Sequence, residues 1–440
     1  MKTDGAIAIE GGRLIDPAAG LDGRHDLLLD GGVVRAVDKP GAFRSAPVER
    51  RIDARGRWVV PGLIDLHCHL REPGYEYKET VASGAAAAVA GGFTAVACMA
   101  NTDPVNDSAA VTRFILERAA AAALARVHPI GAVSQGLRGE RLAEIGEMRA
   151  AGIVAVSDDG QPVADAALMR HALEYCRMFG IAVIDHAEDP GLCAGGAMHE
   201  GATSHRLGLK GIPAAAEEAM VGRDLLLAQL TGGRLHVAHA STRGTVELVR
   251  AAKARGVRVT AEVTPHHLTL TDEAVAEYDG NAKMKPPLRT ADDRRALAEG
   301  LADGTIDAIA TDHAPHHRDE KAVEFEAAAF GVVGLETALA LSLRLVEQRV
   351  LDPARWVRRL STAPAEILGV AGGTLRAGAP ADVVLIDPDA EWTVEAAGLR
   401  SKSKNSPFLG WAMKGRASCT IVAGRVVYEH STAASERRDG

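Results

Sequence analysis

The chain is predicted to fold as an α/β protein, a (β/α)8 TIM-type barrel carrying a small β-sandwich built from both chain termini. Two observations point there. Between residues 58 and 364, eight apolar runs alternate with Ala-rich helical stretches. Continuous apolar strands, as opposed to alternating ones, mark strands buried on both faces of a parallel sheet. The two ends of the chain read differently, as short alternating runs separated by GG and DG turn signals.

Taken in order, residues 1–57 contain "AIAIEGGRLID", "DLLLDGGVVRAVD" and "RRIDARGRWVV", each a hairpin-like piece. The end of the chain behaves alike, with "ADVVLIDPD" and "ASCTIVAGRVVYE". A composite sandwich of 1–57 with 365–440 is therefore expected around a barrel of 58–364. The barrel strands are placed at 62–69, 94–100, 126–133, 153–157, 181–186, 234–239, 257–263 and 306–311. The helical stretch "STRGTVELVRAAKARG" has Ser241 as candidate N-cap and Gly256 as candidate C-cap. An open doubly wound sheet is the alternative, and no GxGxxG follows any of these strands to support it.

Composition excludes several function classes. Of 440 residues, 47% are apolar and 25% charged, and the net charge is −8 without any Lys/Arg block. Nucleic acid and anionic membrane surfaces are thus disfavoured as partners. "MKTDGAIAIEGG" turns acidic and Gly-rich before any apolar core of a leader peptide, and no apolar run reaches the ~18 residues of a membrane span. Five scattered cysteines without CxxC spacing read as free thiols in a reducing cytoplasm.

The chemistry concentrates at strand ends. In "IDLHCHLREPG", side-chain alternation puts Asp65, His67, His69 and Arg71 on one face, with Leu66, Cys68 and Leu70 on the other. Four polar residues on one face of an apolar strand are costly to bury without partners, and a metal ion relieves that cost for the imidazoles. Four later strands also end in metal-capable residues: Asp158 and Asp159, His186, His239, and Asp312. In a parallel barrel all these ends meet at one face, which points to a metal centre there.

The motifs DxHxHxRxPG, "GGFTAVACMANT", "SDDG", "DHAED", "AHAST", "TPHHL", "KMKPPLR", "TDHAPH" and "SKSKNSPFLGW" run in order from about residue 7 to 430. Together they resemble the dihydroorotase family of the amidohydrolase superfamily, in its longer bacterial form (type I). The resemblance implies one or two divalent metals, expected to be Zn2+, held by His67, His69, His186, His239 and Asp312. Many relatives bridge two metals with a carboxylated lysine, but no lysine occurs between Lys78 and Lys210. The long-type enzymes use an aspartate of "SDDG" instead, here Asp159, with Asp158 left to support or cap.

The resemblance further implies reversible hydrolysis of L-dihydroorotate to N-carbamoyl-L-aspartate in pyrimidine (UMP) biosynthesis, by metal-activated hydroxide with Asp312 as general base and then acid. It assigns Arg71, Asn101 and His316 to the substrate carboxylate, and Asn281 to the ring. His313, His266 and His267 are given supporting hydrogen bonds, and His236 is expected to be an ordinary core or surface residue. A homodimer and an aspartate transcarbamoylase partner are also implied, in the cytoplasm. The chain carries Ala100 and Ala329 where the family has Pro, which removes a φ restraint at each. The long segment 316–336 is expected to be a lid. The alternatives are another cyclic amidase of hydantoinase or allantoinase type, and a metal-free scaffold for the transcarbamoylase.

Overall fold

A computed structural model describes residues 5–430. All eight expected barrel strands are present, each as long as or shorter than its apolar run: Leu63–Cys68 (β1), Phe93–Cys98 (β2), Arg126–Pro129 (β3), Ala155–Val156 (β4), Ala182–Asp185 (β5), Arg234–Val237 (β6), Val259–Val263 (β7) and Ala308–Ile309 (β8). Every neighbouring pair is parallel. β3-β2-β1 form one sheet and β4-β5-β6-β7-β8 another. Two isolated parallel bridges connect these sheets, Gly131 with Val156 and Cys68 with His313. All six residues of β1 and all six of β2 are buried, as two covered faces require.

Gly62, just before β1, marks a close approach: a Cβ there would sit 2.0 Å from Oγ1 of Thr94. In the helix Arg243–Ala254 the N-cap is Thr242, whose side chain accepts from the Thr245 N–H. Ser241, the residue expected to cap, is instead drawn to the buried carboxylate of Glu217. The Ser241 hydroxyl donates to that carboxylate while its oxygen accepts from Arg289 Nε at 3.1 Å, which leaves the cap to Thr242. Gly256 follows the C-cap Arg255 with φ of +78°.

Strands from the two ends of the chain share one six-stranded sheet, in the order Arg425–Glu429, Ala412–Val422, Val383–Thr393, Trp58–Pro61, Arg13–Asp16, Leu21–Arg24. A four-stranded sheet of Val33–Asp38, Asp26–Asp30, Ile7–Glu10 and Arg50–Asp53 faces it. Ile7, Ile9, Leu27 and Leu29 from one pack with Leu14, Val59, Leu385 and Ile421 from the other. Trp58 therefore lies in this sheet, and the chain leaves it only at Gly62. Trp58 also meets Trp356, which is fully buried, edge to face at 6.1 Å. All five cysteines are free, four of them buried. Among the described residues no helix is long and apolar enough to cross a membrane.

The segment expected to be a lid is tied down. The Lys321 ammonium, its pKa lowered to about 7 by burial, donates to the carbonyls of Lys283, Ala329 and Gly331. Lys283 in turn donates to those of Phe325 and Glu326. Ala329 thus gains from Lys321 part of the restraint that proline would have supplied through φ.

Trp356 packs on Trp58 of the six-stranded sheet, and its Nε1 donates to Ser342 Oγ at 3.0 Å. Trp356→Ala is expected to lower stability by ~3–5 kcal/mol in urea unfolding. A loss below ~1 kcal/mol would contradict this packing.

Candidate metal and substrate site

The C-terminal ends of β1, β4, β5, β6 and β8 bring six side chains into one buried cluster. Asp159 is at its centre. Its Oδ1 lies 3.3 Å from His67 Nε2, 3.5 Å from His186 Nδ1 and 3.5 Å from His239 Nε2, and its Oδ2 lies 3.5 Å from His69 Nε2. Asp312 Oδ1 is 3.1 Å from His69 Nε2 and 3.6 Å from His67 Nε2. His186 Nδ1 and His239 Nε2 stand 2.9 Å apart. Asp158 turns away and accepts from the N–H groups of Val133 and Ser134 and from the Ser134 hydroxyl. Of the two candidates, the structure thus brings Asp159 to the cluster and uses Asp158 as a cap.

The donor set suits a divalent metal. Two triads, His67/Asp159/His239 and His67/His69/Asp312, each offer ligand atoms within 4.8 Å of one another. Within the cluster, His67 Nε2 and Asp159 Oδ1 are buried and have no hydrogen-bond partner. Buried polar atoms are rarely left so. Imidazole and carboxylate together match the ligands of zinc.

Electrostatics point the same way. Burial disfavours charge on His67 and His186, yet the carboxylates around them win: both pKa values rise, that of His186 to about 10. Burial likewise opposes ionisation of Asp159 and Asp312, but the surrounding imidazoles hold both well below the usual carboxylate range. A cluster that attracts positive charge this strongly is poised for a cation.

The outer partners fix the rings. His67 Nδ1 meets Glu262 Oε1 at 2.8 Å, and His69 Nδ1 meets Asn101 Oδ1 at 2.8 Å, so both rings turn Nε2 inward. Glu262 lies on β7 and also meets His236 Nε2 at 3.1 Å. Burial opposes its ionisation, and the two histidines nonetheless bring its pKa down to about 2. Sequence reasoning missed Glu262, although a lone carboxylate in the buried run "VRVTAEV" is itself a signal. His236 is in the core as expected, but it anchors this carboxylate. Glu188, also missed, lies 3.9 Å from His186 Nε2 and is paired with Lys285 at 2.6 Å.

The backbone is strained where the site is built. His239 (φ +30°), Asp312 (φ +44°) and Arg71 (φ +61°) all occupy the left-handed region without being glycine. β1 ends at Cys68, so strand alternation does not reach Arg71; the turn aims it instead. The Cys68 thiol points away from the cluster to the Ala97 carbonyl. Arg71 is buried, with Nε donating to Pro315 O at 3.2 Å and Nη2 to His316 Nε2 at 3.4 Å. Burial and then Arg71 lower the His316 pKa to about 3, so its ring is neutral and accepts.

Asn101 divides its amide between His69 and the Asp159 carbonyl, the latter at 3.4 Å. Asn281 and His316 line one cavity of about 560 Å3, and neither touches the cluster itself. His313 donates toward Glu79 and accepts from the Gly334 N–H, and His267 bonds Thr264 and Pro286, as supporting residues should. His266 differs from expectation: its Nε2 is buried without a partner.

Comparison with known proteins fits this geometry. Family models described as "Dihydro-orotase-like" and "Amidohydrolase family" match residues 56–245 and 228–428. A protein named dihydroorotase from Anaeromyxobacter dehalogenans (strain 2CP-C) is 59% identical over 97% of this chain and 99% of its own length. One from Geotalea daltonii is 57% identical over 96% of this chain and 99% of its own. Among solved structures, an L-hydantoinase (dihydropyrimidinase) from Arthrobacter aurescens superposes with TM-score 0.87 at 26% identity, covering 98% of this chain and 97% of that one. A dihydropyrimidinase from Brevibacillus agri NCHU1002 does so with TM-score 0.83 at 23% identity, covering 96% and 95%, a likeness of fold alone.

Glu262→Gln leaves His67 without its anionic partner. The substitution is expected to weaken divalent-metal binding ~10–100-fold, read as zinc retained after dialysis against a chelator. Retention equal to the wild type would contradict this role.

Proposed function

The chain belongs to the dihydroorotase family of the amidohydrolase superfamily, and from that premise we propose how its residues perform hydrolysis of L-dihydroorotate to N-carbamoyl-L-aspartate, and the reverse ring closure. The observation that carries the reading is the buried cluster in which Asp312 meets His69 at 3.1 Å, followed two residues after His69 by the buried Arg71, whose guanidinium meets His316 at 3.4 Å. A cyclic amide bearing a carboxylate needs both parts side by side.

Zinc, one or two ions, is the metal we assign to His67, His69, Asp159, His186, His239 and Asp312. When bound, it polarises the ring carbonyl and makes water acidic enough to attack near neutral pH. The chain's own residues do the rest. Arg71 presents a planar fork to the substrate carboxylate, and neutral His316 and Asn101 complete that subsite. Asn281, which shares a cavity with His316, is assigned to the ring by the family resemblance. Asp312 takes the proton from the attacking water and delivers it to the ring nitrogen as the C–N bond breaks. The surrounding imidazoles hold it in the ionised form that a base must have. In the biosynthetic direction the same proton path runs backwards, and water leaves.

The reading is supported against hydantoinase-type chemistry by the strand-4 end, where "SDDG" stands and no lysine is available. The six intact ligand positions argue against a metal-free scaffold. We also read the eight strands as one closed (β/α)8 barrel, supported by the two bridges that join its sheets at both seams. The terminal sheets then form the composite second domain, with Trp58–Pro61 counted among them.

Asp312→Asn is expected to lower kcat for dihydroorotate hydrolysis ~10²–10⁴-fold, and full activity in that variant would remove the assigned acid/base. The purified protein is expected to turn over dihydroorotate faster than hydantoin or dihydrouracil. The opposite order would overturn the substrate assignment.

A further inference from the structure

The motif "SKSKNSPFLGW" contributes no group to the chemistry above, yet its segment reaches the site from the far end of the chain. Ser401 and the Lys402 N–H bond Glu79, and Ser403 Oγ donates to the Lys78 carbonyl at 2.7 Å. Lys402 Nζ reaches the Glu76 carbonyl at 2.6 Å. All four contacts fall on the loop that follows Arg71.

Asn405 is buried, and it spends its whole amide on the other loop. Its Oδ1 accepts from the His316 N–H at 3.1 Å. Its Nδ2 donates to the carbonyls of Ala314 at 3.0 Å and Gly331 at 3.1 Å. Gly331 has φ of +133°, and a Cβ there would meet the Ala314 Cβ at 2.7 Å, so only glycine lets the two strands of this clasp approach. The Gly331 carbonyl is held from a second side by Lys321 at 2.9 Å. The peptide 314–316 is thus fixed by Asn405 on one side and by Arg71 on the other, through the Pro315 carbonyl.

We infer that Asn405 is a positioning residue for substrate binding: it sets the main chain of His316, and so the place where the His316 ring and the Arg71 fork meet one carboxylate. Only a primary amide offers one acceptor and two donors at this reach. Aspartate would lack the donors and glutamine is a carbon longer. The inference rests on the reading of His316 as a carboxylate ligand.

The test is a double-mutant cycle on dihydroorotate hydrolysis. Asn405→Ala is expected to raise KM about tenfold with kcat within about twofold. In a His316→Ala background it should add little further, because the residue it positions is already gone. Multiplicative effects of the two changes would overturn the inference, as would a fall in kcat with KM unchanged. If His316→Ala alone leaves KM unaltered, the underlying reading falls, and the inference with it. Should Asn405→Ala not fold, Asn405→Ser carries the same comparison with the same two outcomes.

Discussion

Asp159 sits in a space no water-exposed carboxylate would tolerate, with the ring nitrogens of His67, His186 and His239 and that of His69 within 3.5 Å of its two oxygens. These are buried groups, and two facing atoms among them, His67 Nε2 and Asp159 Oδ1, have no hydrogen-bond partner. Leaving such groups unmet costs roughly 1–3 kcal/mol each, so the arrangement favours something that satisfies them together. A divalent cation does so, and the rest of the structure can be understood as preparation for it. Glu262 and Asn101 hold the His67 and His69 rings, and Asp158, capped by the 133–134 backbone, steadies the turn that delivers Asp159. The left-handed backbone at His239 and Asp312 is strain that the surrounding packing must hold in place.

The parallel strands provide the convergence, and the rest of the chain provides the walls. Arg71 stands one turn beyond β1, and His316 stands beyond β8, on loops that no strand pairing fixes. Those loops are tied instead by the segment carrying Ser401 to Asn405 and by the ammonium groups of Lys283 and Lys321. The carboxylate subsite thus depends in part on residues 89 to 322 positions away in the chain, while the metal ligands themselves are delivered by the strand ends.

Much of this was legible in the sequence because strand burial and strand ends leave a periodic signature. His67 and His69 on one face, with Cys68 on the other, follow from alternation. Alternation failed at Arg71, since the strand stops at Cys68 and a left-handed turn takes over. Choosing between Asp158 and Asp159 needed the resemblance, because both flank the same turn. Ser241 looked like a cap by residue type, but a buried carboxylate far along the chain claimed it. Glu262 was readable and overlooked. Asn405 was not readable, because its role exists only through space, between a C-terminal strap and a loop of the barrel.

The central claim is that the four-histidine, two-aspartate cluster is completed by metal, and linkage tests it directly. Protein stripped with a chelator should melt at a lower temperature than the untreated protein, and added zinc should restore the transition. At zinc near 100 times its dissociation constant, the gain is expected to be ~2.7 kcal/mol per site, and it should vanish in His67→Ala. A melting temperature indifferent to both chelator and zinc would contradict the account.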